Sequence, residues 1–305
     1  MSLLRKNDNR IRIDAMKNIV VGIDVGGSTT KIVGFTADSM KMISPMYVKA
    51  GDPVASVYGA FGKFTSENGI AIADIERVMI TGVGSSFIGG EIYGIPTDHV
   101  TEFTCIGLGG LYLSGLCEAV VVSMGTGTAM VHARTDGGIS KGAEAAKTVK
   151  TDYLGGTGVG GGTIIGMSKK MLGVSDVTHL VELANGGDLG NIDLTVADIT
   201  SKDILPGLPL TTTAANFGKL SDVAHKADVA LGILNMVFES IGMLGVFAAK
   251  RVGTNDVVLT GNLTTIPQSV EVFSKLSEMY GMNMLFPENA RYATVVGTAL
   301  AFFAR

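Results

Sequence analysis

The sequence predicts an α/β protein whose two similar lobes face each other across a cleft. Three observations carry that expectation. The chain has 305 residues, which at about 150 per domain suffices for two compact units. Its composition, 46% hydrophobic and 17% charged, supplies enough apolar surface for sizeable cores and lies outside the range of disordered chains. The third observation is a strand–glycine–strand unit that occurs twice, about a hundred residues apart, with Asp24 and Ser123 at equivalent strand ends. Gly-rich hairpins are common, so two could also resemble each other by chance.

In chain order, Ile19 to Asp24 is a β-branched run, Val25 to Thr30 a glycine turn and Lys31 to Phe35 the returning strand. Val54 to Asn68 has helical spacing, with Val54, Val57, Tyr58, Phe61 and Phe64 on one face and Gly69 as its stop. Arg77 to Thr81 is a strand entering Gly82-Val83-Gly84, and Thr101 to Leu116 a helix that Thr101 can cap. Ala119 to Ser123, Met124 to Thr128 and Ala129 to Ala133 repeat the opening hairpin. Leu154 to Thr163 reads as a glycine loop opening a helix over Ile164 to Leu172, followed by an amphipathic stretch from His179 to Ala184. Leu205 to Phe217 reads as loop, Asp222 to Arg251 as a long helix, Asp256 to Thr260 as a strand and Ala293 to Ala304 as a C-terminal helix.

Several function classes drop out. The net charge is -4 and no Lys/Arg stripe is interleaved with aromatics, so the footprint of a nucleic-acid binder is missing. Cys105 and Cys117 make no disulfide framework, which fits two buried thiols in a reducing cytoplasm. The first fifteen residues are polar and lack a signal peptide's apolar core, so Met16 is a plausible start and residues 1–16 an extension. Val229 to Ala249 is apolar but contains Asn235 and Glu239, which favours a helix packed between lobes or subunits over a membrane span. His99, His132, His179 and His225 have no metal-site spacing.

The 42 glycines follow no G-X-Y period, so they serve turns and close backbone approach rather than a collagen helix. Gly156, Gly158 and Gly161 satisfy G-x-G-x-x-G, but the preceding Lys147 to Tyr153 is polar where a dinucleotide site needs a buried strand. What remains is a helix N-terminus whose free N–H groups suit an anion, with tight helix packing through glycine as the competing reading. No Walker-type G-x-x-x-x-G-K-[ST] occurs.

Four glycine-tipped elements now stand in order: G-I-D-V-G-G-S-T-T-K from Gly22, S-M-G-T-G-T from Ser123, G-G-T-G-V-G-G-G-T from Gly155 and L-T-G-N from Leu259. Together they resemble the actin-like ATPase and sugar-kinase superfamily, in which two ribonuclease-H-like lobes clamp ATP. The closer resemblance is to type II pantothenate kinases. It rests on V-T-E-F at Val100 to Phe103, the double glycine run before Thr163, and A-A-N-F-G at Ala214 to Gly218, and it covers Lys17 to Arg305. The resemblance implies lobes over residues 17–117 and 118–305, the second carrying a long helix for homodimerisation.

Phosphoryl transfer asks for charge neutralisation and a placed nucleophile. The amides of Gly26, Gly27, Ser28 and Thr29 can hold phosphate oxygens, Asp24 can hold Mg2+, and Lys31 adds a point charge. The Gly125, Thr126, Gly127, Thr128 tip would face them from the second lobe. By resemblance, Gly158, Gly160, Gly161, Gly162 and Thr163 serve the remaining phosphates, while Asn216, Gly261 and Asn262 lie near the nucleoside. Glu102 aligns with the family's catalytic base, although a helix dipole alone favours a Glu in a first turn. Thr126 aligns with a position that contacts pantothenate.

One departure concerns the acceptor. Relatives carry Arg before the second glycine run, where it binds the pantothenate carboxylate; here Tyr153 stands there, after Asp152. Either Arg134, Lys141, Lys147 or Lys150 supplies the cation instead, or the acceptor is pantetheine or another small hydroxy compound. The resemblance thus implies an ATP- and Mg2+-dependent cytoplasmic kinase of a small molecule, pantothenate first. The competing classes are an activator of 2-hydroxyacyl-CoA dehydratases, with Cys105 and Cys117 as cluster ligands, and a nucleotide sensor without turnover.

Overall fold

The computed structural model describes residues 18–49, 51–139, 142–200 and 209–305. The β-branched opening runs form β1 (Ile19–Val25) and β2 (Thr29–Thr36), an antiparallel hairpin with Asp24 opposite Lys31. An edge strand β3 (Met42–Lys49) extends it. Helix α1 (Pro53–Asn68) follows. Asp52 caps it by accepting from the Ala55 N–H at 2.8 Å, Pro53 opens it, and Gly69 ends it in the left-handed region at φ 64°. Val57, Phe61 and Phe64 are fully buried against the sheet, whereas Val54 at the first turn stays exposed. Strand β4 (Ile75–Thr81) lies parallel to β1, and β5 (Glu91–Ile92) and β6 (Ile95–His99) complete the order β3-β2-β1-β4-β6-β5.

After α2 (Glu102–Ser114) the plan repeats. Strands β7 (Glu118–Met124) and β8 (Thr128–Arg134) form the second hairpin, with Ser123 opposite Ala129. Then come α3 (Ala143–Lys147), β9 (Lys150–Thr157), α4 (Gly161–Leu172), α5 (Val177–Ala184), β10 (Leu194–Thr195), α6 (Val196–Ile199) and β11 (Thr213–Ala215). Helix α7 (Lys226–Val252), β12 (Asp256–Thr260), α8 (Pro267–Tyr280), β13 (Asn283–Leu285) and α9 (Ala293–Leu300) close the chain. The second sheet runs β13-β12-β7-β8-β9, the first sheet's order with β7, β8, β9 and β12 in the places of β1, β2, β3 and β4. The repeat expected from the two hairpins is therefore a repeat of whole sheets.

Helices α2 and α9 cross between the sheets. Each packs on the sheet of the opposite half: α2 on β7, β8 and β9, and α9 on β1, β2 and β4. Their backbones touch at Gly109 and Gly297, where an added Cβ would stand 1.8 Å from the Ala293 or the Cys105 carbonyl oxygen. That crossing holds Glu102, at the head of α2, beside the ends of the strands.

Several expectations change. Leu154 to Thr157, expected as the start of the glycine loop, instead ends the edge strand β9 (Lys150–Thr157), whose polarity reflects its exposed position. Thr101 occupies the N-cap of α2, yet its hydroxyl bonds the Thr104 hydroxyl at 2.7 Å instead of capping an amide. Within the expected loop 205–217, residues 205–208 lie outside the described residues, as do the 1–16 extension and Lys141; Thr213 to Ala215 pairs with β10. The long helix starts at Lys226, where the His225 N–H donates to Asp228 at 2.9 Å. Although α7 is long and apolar enough to cross a membrane, it is mostly buried inside the second lobe. Its glycines gain a packing reason: a Cβ at Gly232 would meet Ile192 at 2.7 Å, and one at Gly242 would meet Leu276 at 2.3 Å.

Candidate functional site

The C-terminal ends of β1 and β7 point into one cleft of about 650 Å³ between the sheets. Asp24, Gly26, Gly27, Ser28, Thr29 and Lys31 line it from the first hairpin, and Gly125, Thr126, Gly127 and Thr128 from the second. Glu102, Tyr153, Gly158, Gly261 and Asn262 complete the expected residues that the fold brings together there.

The two hairpin tips are built alike. In the first, the Gly26 N–H donates to the Thr29 carbonyl at 3.1 Å; in the second, the Gly125 N–H donates to the Gly127 carbonyl at 2.9 Å. Each short ring leaves amides over. Among the described residues, those of Gly27, Ser28, Thr126 and Gly127 have no hydrogen-bond partner, so both lobes offer bare N–H groups to an anion in the cleft. Two further glycines are obligatory: Gly82, at φ 90°, would drive a Cβ to 2.6 Å from the Val25 carbonyl oxygen, and Gly261, at φ 93°, to 2.4 Å from that of Met124.

The helix N-terminus is used differently from the sequence-based expectation. The Gly161 and Gly162 N–H groups donate to the Gly125 and Thr126 carbonyls at 2.9 Å each, and Thr163 bonds the Gly160 N–H at 3.2 Å and the Gly158 carbonyl at 3.1 Å. These groups brace the second tip from behind. Gly160, Gly161, Gly162 and Thr163 do not line the cleft, and this tight packing through glycine is the competing reading of the sequence. Gly160 is needed for space, because a Cβ there would approach the Thr126 carbonyl oxygen at 2.7 Å.

Asn216 is not brought to the lining of that cleft. It lines another cavity of about 870 Å³, where its amide donates to Glu239 at 2.8 Å. Asp193 accepts from the Phe217 N–H and from Asn235, each at 2.8 Å, so A-A-N-F-G is a clasp onto α7.

Charge concentrates in the first lobe. Lys31 Nζ lies 3.9 Å from Asp24 Oδ2, with both side chains nearly buried. Burial pushes the Asp24 pKa up against the opposing pull of Lys31, and burial pushes the Lys31 pKa down against the pull of Asp24. Glu102 is open to the cleft, but the surrounding protein and then the Asp24 carboxylate raise its pKa above the ordinary glutamate range. Such a group holds a proton more readily than a surface glutamate. Cys105 lies fully buried behind it with its thiol pushed up to about 12, whereas Cys117, expected buried, is exposed beyond the far end of α2. Those two thiols do not share a ligand face.

Sequence reading missed Gly82, Val83, Ser123, Gly156 and Thr294 as lining residues. A signal for Gly82 existed, because T-G follows β4 as it follows β12. Of the proposed substitute cations, Arg134 is tied to Asp152 at 3.6 Å and Lys147 to Glu144 at 2.9 Å, and neither they nor Lys150 line the cleft.

Comparison with known proteins bears on the family and the fold. A family model described as Fumble matches residues 118–301. A type II pantothenate kinase of Oceanobacillus iheyensis is 27% identical over 299 residues, spanning 92% of this chain and 98% of the relative. Component A of (R)-2-hydroxyglutaryl-CoA dehydratase from Acidaminococcus fermentans shares the fold with a TM-score of 0.63 at 20% identity, over 93% of this chain and 97% of that one. A ROK hexokinase from Thermus thermophilus superposes with a TM-score of 0.51 at 15% identity, over 92% and 97% of the two chains.

Proposed function

The chain belongs to the Fumble family, the type II pantothenate kinases, and from that premise we propose that it transfers the γ-phosphoryl group of ATP to the primary hydroxyl of pantothenate, giving 4'-phosphopantothenate. The observation that carries this reading is the convergence of Glu102, Asp24 and Lys31 on a cleft where both hairpin tips present unpaired amides. That arrangement suits a reaction in which electrostatics and positioning supply most of the rate.

Glu102 accepts the hydroxyl proton as the oxygen attacks phosphorus, and its raised pKa makes it a better base than a surface glutamate. The amides of Gly27 and Ser28, facing those of Thr126 and Gly127, cradle phosphate oxygens from both sides. Asp24, a single carboxylate at a strand end, fits Mg2+, which takes one or two carboxylates and fills its shell with phosphate oxygens and water. Bound there, the ion would neutralise charge on the transferred group. Lys31 holds Asp24 in place and adds positive charge at the same point. Asn262 lines the second-lobe side with a buried, unpartnered Oδ1, an acceptor that a nucleoside hydroxyl or amino group can satisfy.

A cytoplasmic homodimer completes the reading. Its support is Leu244 and Phe247, 39% and 59% exposed one turn apart on α7. A monomer by light scattering contradicts it. For the reaction, acceptor-dependent ADP release is measured over pantothenate, pantetheine and simple sugars. Stimulation by pantothenate with one phosphoester formed per ADP is expected; ATP binding without stimulation by any acceptor defeats the kinase reading.

A further inference from the structure

Resting on that phosphotransferase reading, we infer that the acceptor end of the cleft is built for an uncharged chain, and that Tyr153, stacked on Phe103, sets the preference. Phe103 follows Glu102 directly on α2, and its ring lies against that of Tyr153 with centroids 4.0 Å apart and planes 15° from parallel. The stack therefore stands one residue from the base that receives the acceptor's proton. Tyr153 lines the cleft and remains 51% exposed although Phe103 packs on it, so part of its ring is open to a ligand. Gly156 leaves room for this pose, since a Cβ there would come within 2.9 Å of the Tyr153 hydroxyl. Across the cleft Val83, 72% exposed, adds an apolar lip from the first lobe.

The charges near this shelf point the same way. Among the described residues lining the cleft, Lys31 is the sole cation, and it is buried beside Asp24. Glu102 and Asp24 are the acids. A carboxylate on the acceptor's far end would lose hydration at an aromatic surface with no guanidinium or ammonium to receive it, and with two carboxylates nearby. An amide or thiol-ended chain loses no charge hydration and gains contact with the tyrosine ring. The acceptor class that fits is a primary alcohol on an amide chain with an uncharged end. Pantetheine and N-alkyl amides of pantothenate belong to it and rank above the free acid.

The test measures kcat and KM for pantothenate, its N-pentylamide and pantetheine with the wild-type protein, Tyr153→Phe and Tyr153→Arg. Wild type should favour the two neutral acceptors at least tenfold in kcat/KM, with most of the difference in KM. Tyr153→Phe should keep that preference, and Tyr153→Arg should move the ratio at least tenfold toward pantothenate. A wild-type preference for pantothenate, or a ratio unmoved by Tyr153→Arg, overturns the inference. If no compound is turned over, the kinase reading has failed, and calorimetric binding of the same three compounds with a non-hydrolysable ATP analogue decides the inference. The same ranking upholds it; equal or reversed binding overturns it.

Discussion

At the end of β1, Asp24 pairs across the hairpin with Lys31 and along the sheet with Thr81. At the matching place in β7, Ser123 pairs with Ala129 and with Thr260. The frames agree to fine detail: Gly82 at φ 90° and Gly261 at φ 93° each follow a threonine, sit behind the strand end and open a 3-10 turn. The helices that follow also correspond, α2 starting with Glu102 where α9 starts with Ala293 and Thr294. The backbone cradle thus belongs to both lobes and follows from the fold. The charges belong to the first lobe alone and follow from three side chains.

That division makes substitutions in the two lobes behave differently. The largest expected effect is Glu102→Gln, which should lower turnover by about 10²- to 10⁴-fold while ATP binding persists; undiminished turnover removes Glu102 from the chemistry. Next come the glycines shared by the frame. Gly109→Ala pushes a methyl into the Ala293 carbonyl at the crossing of α2 and α9, and should cost about 1–3 kcal/mol of stability, read as a lower midpoint in thermal unfolding. Gly160→Ala acts only on the second lobe, displacing the Thr126 to Gly127 tip; nucleotide affinity should fall more than acceptor KM rises. An equal effect on both would mean that the tip does not work as a separate phosphate cradle.

A gentler probe is pH. Glu102 and Asp24 must be ionised, and both are raised, so kcat/KM should climb with pH through a limb above the ordinary carboxylate range. Lys31 must be charged and is lowered, so the alkaline fall should begin below the ordinary lysine range. No second-lobe group contributes to either limb in this account. A profile flat on the acid side contradicts it.

The glycine hairpins were legible because β-branched runs around a glycine turn have few other solutions. Strands β3 and β9 were not. Both lie at sheet edges, where one side pairs and the other meets solvent, and Lys150 to Tyr153 carries the polar pattern such a position allows. The glycines before Thr163 left two readings open in the sequence, an anion site and tight packing, for a different reason. Sequence shows that a helix N-terminus has spare amides, but not that the Gly125 and Thr126 carbonyls take two of them. The motif around Asn216 does not reveal its partners Glu239 and Asp193, which are distant in sequence. Glu102 was marked only by the V-T-E-F resemblance, since a helix dipole alone favours a Glu in a first turn; its position near Asp24 and Lys31 comes from the α2–α9 crossing, which no local pattern shows.

The most direct measurement compares the matched strand ends. Asp24→Asn and Ser123→Ala are assayed side by side for acceptor-dependent ADP formation at saturating ATP and Mg2+. The account predicts a loss of at least about a hundredfold for Asp24→Asn, the scale of removing a transition-state charge partner, and less than about threefold for Ser123→Ala, below 1 kcal/mol. Comparable losses at the two positions would contradict a division in which the first lobe supplies the charge and the second the amides.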